Sequence, residues 1–113
     1  MKAVAEKPEF GGVYKVIRFD NDYGASLICH AGSYGGNKGL WELALIEFEE
    51  GDEDMENFKL IHDDNNVLGG DGDIVGWLNE KEVITLLHKI EQMEKPIKQI
   101  VKTIVKQIKE EQK

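Results

Sequence analysis

Val13-Tyr14-Lys15-Val16-Ile17-Arg18-Phe19-Asp20-Asn21-Asp22-Tyr23-Gly24-Ala25-Ser26-Leu27-Ile28-Cys29-His30-Ala31 decides the fold class. The β-branched and aromatic residues over 13–19 suit a pleated strand, with Val13, Ile17 and Phe19 on one face and Tyr14 and Val16 on the other. Asp20-Asn21-Asp22 supplies turn chemistry. Over 25–31, alternation puts Ala25, Leu27, Cys29 and Ala31 on one face and Ser26, Ile28 and His30 on the other. Two strands around a polar turn read as a hairpin, so the domain is built on antiparallel sheet.

Outward from the hairpin, residues 1–12 read as a flexible leader, because Pro8 and the pair Gly11-Gly12 disfavour a regular element. Gly32-Ser33-Tyr34-Gly35-Gly36-Asn37-Lys38-Gly39 is a loop, with four glycines in eight residues. Residues 40–48 fit a strand buried on both faces, although Leu40, Leu43 and Ala44 also share helical spacing; the flanking turn segments and the short run favour the strand. Residues 58–62 suit a fourth strand, and 74–78 a short extended or irregular segment after the turn residues of 63–66 and 69–73.

The carboxyl-terminal third is helical. Asn79-Glu80-Lys81-Glu82 has an Asx N-cap with Glu at N3, and Leu78 and Val83 are spaced for a hydrophobic staple. Val83, Leu86, Leu87, Ile90 and Met93 then make one apolar stripe. Pro96 interrupts or kinks the helix and is well placed to begin another. That last helix carries Ile97, Ile100, Val101, Ile104, Val105 and Ile108 on one side, with Lys98, Lys102, Lys106 and Lys109 over much of the rest. The expected architecture is therefore α+β: a small antiparallel sheet, a compact domain over 13–95, and an amphipathic helix over 96–113. Ile97, Ile100, Val101, Ile104 and Ile108 are the candidate oligomer interface.

At 113 residues the chain suits one domain. Its net charge is −8, which disfavours a phosphate-binding surface overall and direct nucleic-acid binding with it. The charge is uneven: residues 1–79 carry 6 basic and 16 acidic side chains, whereas 80–113 carry 8 and 6. Seven carboxylates fall within 47–56, reading as a solvated hairpin loop or a surface that steers a basic partner. One cysteine rules out an intrachain disulfide framework. No signal-peptide pattern or membrane-length apolar run is evident, so a cytoplasmic location is expected and membrane binding is not.

Chemical motifs are weak. Gly32 and Lys38 have the outer spacing of a phosphate loop, but Asn37 and Gly39 replace its second glycine and its Ser/Thr. Asp71, Asp73, Gly76 and Glu82 partly match a calcium loop, yet Val75 sits where an oxygen donor belongs. Cys29 and His30 are adjacent and so face opposite ways in a strand, which does not suit a nucleophile and its base. No catalytic residue, metal site or cofactor is expected, and the chain reads as a non-enzyme. Ser33, Tyr34, Gly35, Gly36 and Lys38 form the candidate ligand or partner loop, Tyr34 giving contact area and Lys38 charge.

Asp22-Tyr23-Gly24-Ala25-Ser26, the run Ser33-Tyr34-Gly35-Gly36-Asn37-Lys38-Gly39-Leu40-Trp41-Glu42-Leu43-Ala44, and Asp73-Ile74-Val75-Gly76-Trp77-Leu78 resemble a family of small uncharacterised accessory proteins of bacteriophages and prophages of low-GC Gram-positive bacteria. The resemblance spans about residues 13–94. It implies a sheet-plus-helix fold and a host-cell context, and it supplies no catalytic set. Segments 49–57 and the helix after Pro96 look like additions to the shorter family pattern. The expectation that follows is a homo-oligomeric binding protein that occludes or regulates a host protein, such as a defence component. The alternative is an oligomeric sponge for an anionic nucleotide or another small signalling ligand.

Overall fold

The central hairpin forms as β2 (Gly12–Arg18) and β3 (Tyr23–Cys29) in the computed structural model, which describes residues 3–9, 11–49, 55, 57–70, 72–94 and 97–111. Their register sets Ile17 opposite Ala25, Lys15 opposite Leu27 and Val13 opposite Cys29. One-residue alternation therefore sends Ile17, Ala25 and Leu27 to the same face, as the sequence pattern requires.

The segment read as a leader is instead a strand. β1 (Ala3–Glu9) pairs along its whole length with β2. The signals against it have another physical meaning. Pro8 lies on the outer strand of the sheet, where its missing N–H removes no ladder bond. Gly11, at φ +77°, serves the two-residue connection between the paired Glu9 and Gly12. The sheet thus begins at Ala3 rather than near Val13.

β4 (Trp41–Phe48) is the strand around which the rest is arranged. It pairs with β3 along one edge, while β5 (Phe58–Leu60) and β6 (Ile74–Leu78) share the other; all of these pairings are antiparallel. Both faces of the strand are also covered: Leu43 and Leu45 join one apolar cluster, Ile46 and Phe48 another, and all four are buried along with Ala44. The strand reading of 40–48 therefore holds, and the helical spacing there is coincidental.

Helix α1 (Glu80–Glu91) crosses one face and closes the main core. The Asn79 side chain accepts from the Glu82 amide at 2.8 Å, and Glu82 accepts from the Asn79 amide at 3.1 Å, completing the expected capping box. Val83, Leu86 and Ile90 pack with Ile17, Ala25, Leu27, Leu43 and Leu45. The other end of α1 is tied down by Asn21, whose amide donates to the carbonyls of Ile90 and Met93, both at 2.9 Å. The β2–β3 turn thus adds a bond to the Ile90 carbonyl, which also receives the Met93 amide, and fastens the chain where it leaves α1.

The opposite sheet face holds a smaller cluster of Val16, Ile46 and Phe48, flanked by Tyr14, Met55 and Phe58. Arg18 lies buried at its edge, stacked 4.8 Å from the Phe48 ring centroid and paired with buried Asp22 at 2.7 Å. Helix α2 (Ile97–Glu111) contributes no described residue to either cluster. Its presence accords with a Cα radius of gyration of 15.9 Å, above the ~13 Å expected of a spherical domain this long. Pro96 itself lies outside the described residues. No helix among the described residues is long and apolar enough to cross a membrane.

Candidate functional site

Segments 33–38 and 76–77, distant in sequence, meet at one corner of the sheet. The loop is closed at its base by Ser33, whose hydroxyl donates to the His30 carbonyl at 2.9 Å and accepts from the His30 amide at 3.0 Å. A 3₁₀ turn at Gly36–Lys38 follows. The amides of Lys38 and Leu40 both donate to the Gly35 carbonyl, Gly36 donates to Ser33, and Gly39 donates to Gly36. Four amides that a phosphate cradle would direct at a ligand are therefore engaged inside the loop. Leu40 leads into β4 rather than a helix, which also departs from a nucleotide-binding loop.

β6 supplies the other half of the corner. Trp41 pairs with Leu78 and Leu43 with Val75, so β6 spends three steps where β4 takes two. The extra residue is a β-bulge around Gly76-Trp77, a device that re-aims a side chain. Trp77 adopts φ +61° there, a left-handed conformation that is an outlier for a bulky residue. Its amide donates to the Tyr34 carbonyl at 3.1 Å. Close approach makes the bond possible: a Cβ on Gly76 would come within 2.4 Å of the Tyr34 Cβ, and one on Gly35 within 3.0 Å of the Trp77 Cα.

The result is an aromatic ridge on a fixed base. Tyr34 is 64% exposed and Trp77 is 57% exposed. Lys38 extends over the indole, its Nζ 5.7 Å from the ring centroid, and its charge borders the ridge. Gly35 is buried and Ser33 and Gly36 are half-buried, so they shape the corner, whereas Tyr34 and Lys38 meet solvent. Trp77 was absent from the expected site. Its only sequence signal is a large aromatic directly after a glycine in a short strand, a position where packing into the core is the ordinary outcome.

The other candidates separate from this corner. Val101, Ile104 and Ile108 of the expected interface are each about half exposed, as is Val105. The side chains of Ile97 and Ile100 lie outside the described residues. The partial calcium loop is taken up by structure. Ile74–Leu78 is a strand, Glu82 caps α1, and the Asp73 carboxylate accepts from the Asp63 amide at 2.9 Å and contacts His62 Nδ1 at 2.8 Å. Asp71 lies outside the described residues. Among the described residues no three His, Cys, Asp or Glu side chains converge as a metal-binding group.

Electrostatics follow the same pattern. Hydrogen bonding to Asp73, reinforced by its charge, raises the His62 pKa above its ordinary value; the Asp63 amide and then His62 lower that of Asp73. Both groups are used to knit the loop between β5 and β6. Of the acidic stretch, Glu47, Phe48, Glu49 and Met55 are described, and residues 50–54 and 56 are not. Met55 packs beside the Val16–Ile46–Phe48 cluster. A groove of about 410 Å³ on that face is lined by Ala5, Tyr14, Val16, Met55 and Phe58, away from Tyr34 and Trp77. No protein-family model, curated protein or solved structure matches the chain.

Proposed function

We propose that this is a non-enzymatic binding protein, acting in the cytoplasm of a bacterial host as a phage or prophage accessory factor, that occludes a working surface of a host protein through the Tyr34–Lys38–Trp77 ridge. The observation that carries the reading is the pair of exposed aromatics held by a strained bulge and by the close approach of Gly76 to Tyr34 and of Gly35 to Trp77. A bulky residue kept at φ +61° opposes stability, and such strain is concentrated at functional positions. Tyrosine and tryptophan are also the residues most enriched among dominant binding contacts. The internal bonding of the loop amides favours a protein surface over a phosphate as the ligand. The net charge of −8 would steer basic partners and repel free nucleic acid.

The test compares full-length protein with its Tyr34→Ala and Trp77→Gly variants as baits in host lysate, followed by titration of any captured protein in purified form. Loss of one aromatic anchor should weaken a genuine complex by about 2 kcal/mol, or roughly thirtyfold. Equal affinity of all three baits for the purified partner would overturn the assignment of the ridge. Native mass spectrometry showing a retained anionic small molecule and no protein partner would replace occlusion by the sponge alternative.

A further inference from the structure

We infer that α2 is the strand of a parallel helical bundle made by three or four copies of this chain. The inference concerns assembly and does not depend on which partner meets the Tyr34–Trp77 ridge. Its starting point is an apolar stripe that the chain's own core does not cover: Val101 is 51% exposed, Ile104 49%, Val105 43% and Ile108 48%. Two heptads can be written through the helix with Ile97 and Ile104 at d and Val101 and Ile108 at a. Every seam position of those two heptads is then β-branched, and Glu111, the next d, closes the seam at the helix end. A β-branched a with leucine at d selects two strands, whereas isoleucine at d as well shifts the preference to three or four.

The width of the stripe points the same way. At ~100° per residue, the sequence places Ile100 at g and Val105 at e, broadening the apolar arc to about 140°. A two-stranded seam covers a and d alone and would leave those flanks in water; in a larger bundle each helix meets two neighbours and buries them. Charge placement supports a second copy over an anionic membrane. Lys102, Lys106 and Lys109 fall at b, f and b, outside the seam, and Lys98 falls at e, where a lysine stem can cover apolar surface while its ammonium stays in water. Thr103, Gln107 and Glu110 lie on the other flank, and the stripe has none of the Trp, Phe or Leu side chains with which interfacial helices anchor in lipid.

Sedimentation equilibrium of the purified full chain at micromolar concentration tests the inference. The expected mass is three or four times the 12.8 kDa chain. Ile104→Glu should reduce it to one chain while the near-ultraviolet spectrum of the sheet aromatics persists. Because a buried charge could act by disrupting the helix, Ile97→Leu/Ile104→Leu provides the second arm and should move the mass to two chains. Lys106→Glu, at f, should leave the mass unchanged. A wild-type mass of one or two chains overturns the inference, as does an Ile104→Glu protein of wild-type mass. A single-chain protein that floats with phosphatidylglycerol vesicles, and loses this with Ile104→Glu, would assign the stripe to lipid instead.

Discussion

Replacing Trp77 by alanine and, separately, by glycine isolates the strain on which the proposed ridge depends. Both variants lose the indole, its partial burial and the Lys38 contact, so their difference reports the backbone. An L-residue held in the left-handed region costs about 1–2 kcal/mol, which glycine avoids. In an ordinary strand the order is reversed, glycine being about 0.5–1 kcal/mol worse than alanine. At φ +61° the first effect wins. Trp77→Gly should therefore be more stable than Trp77→Ala by about 1 kcal/mol, equivalent to about 4 °C in Tm for a domain of this size. Urea unfolding followed by far-ultraviolet circular dichroism measures the difference directly. Alanine equal to or better than glycine would mean that position 77 has ordinary strand geometry, and the bulge would no longer explain why the indole faces solvent.

Three more substitutions probe the ridge and, separately, the packing of the rest of the domain. Gly76→Ala brings a methyl within 2.4 Å of the Tyr34 Cβ; the forced separation should lower stability by about 1–3 kcal/mol, and an unchanged urea midpoint would contradict the close contact. Asp22→Asn keeps a residue tolerant of φ +66° but removes the carboxylate facing buried Arg18 at 2.7 Å. It should cost about 3 kcal/mol, and a loss below ~1 kcal/mol in the same assay would show that the ion pair is not needed. His62 gives a pH test. Its raised pKa means that its stabilising contribution is full below about 6.5 and is lost as pH rises through the higher folded-state value. Asp73 acts in the opposite sense: its lowered pKa gives stabilisation above about 3.9 that is lost as pH falls through the lower value. The urea midpoints of wild type and His62→Gln should converge as pH rises above about 6.5; a constant gap would refute the linkage.

How far the sequence revealed this arrangement depended on the range of the interactions involved. The β2–β3 hairpin, β4 and the capped start of α1 follow from alternation, turn residues and the Asn79–Glu82 box, all of which are local. β1 was hidden because Pro8 and Gly11-Gly12 signal breaks unless the neighbouring edge is known. Asn21 illustrates the same limit: its turn role is readable, but its bonds to Ile90 and Met93 span about seventy residues. The candidate loop was legible from its glycines, and Tyr34 and Lys38 were singled out there. Trp77 was not, because a tryptophan in a strand with ordinary φ alternates predictably, and only the bulge reverses that expectation.

That reversal bears on how an occluding protein can bind without a cavity. A flexible glycine loop would have to lose conformational freedom on contact, and each ordered side chain subtracts from affinity. Here the loop is internally bonded at Ser33, Gly35 and Gly36, and its tip is joined to the sheet through the Trp77 amide. The freedom has been removed during folding, with part of the domain's stability offset by the left-handed tryptophan. Loosening the corner should therefore reduce affinity even when both rings are retained. Gly76→Ala distinguishes this from simple loss of contact area, since it keeps Tyr34 and Trp77 yet separates their backbones. Binding by that variant at wild-type affinity would mean that the rings alone suffice, and that the bulge serves the packing of β6 on β4 instead.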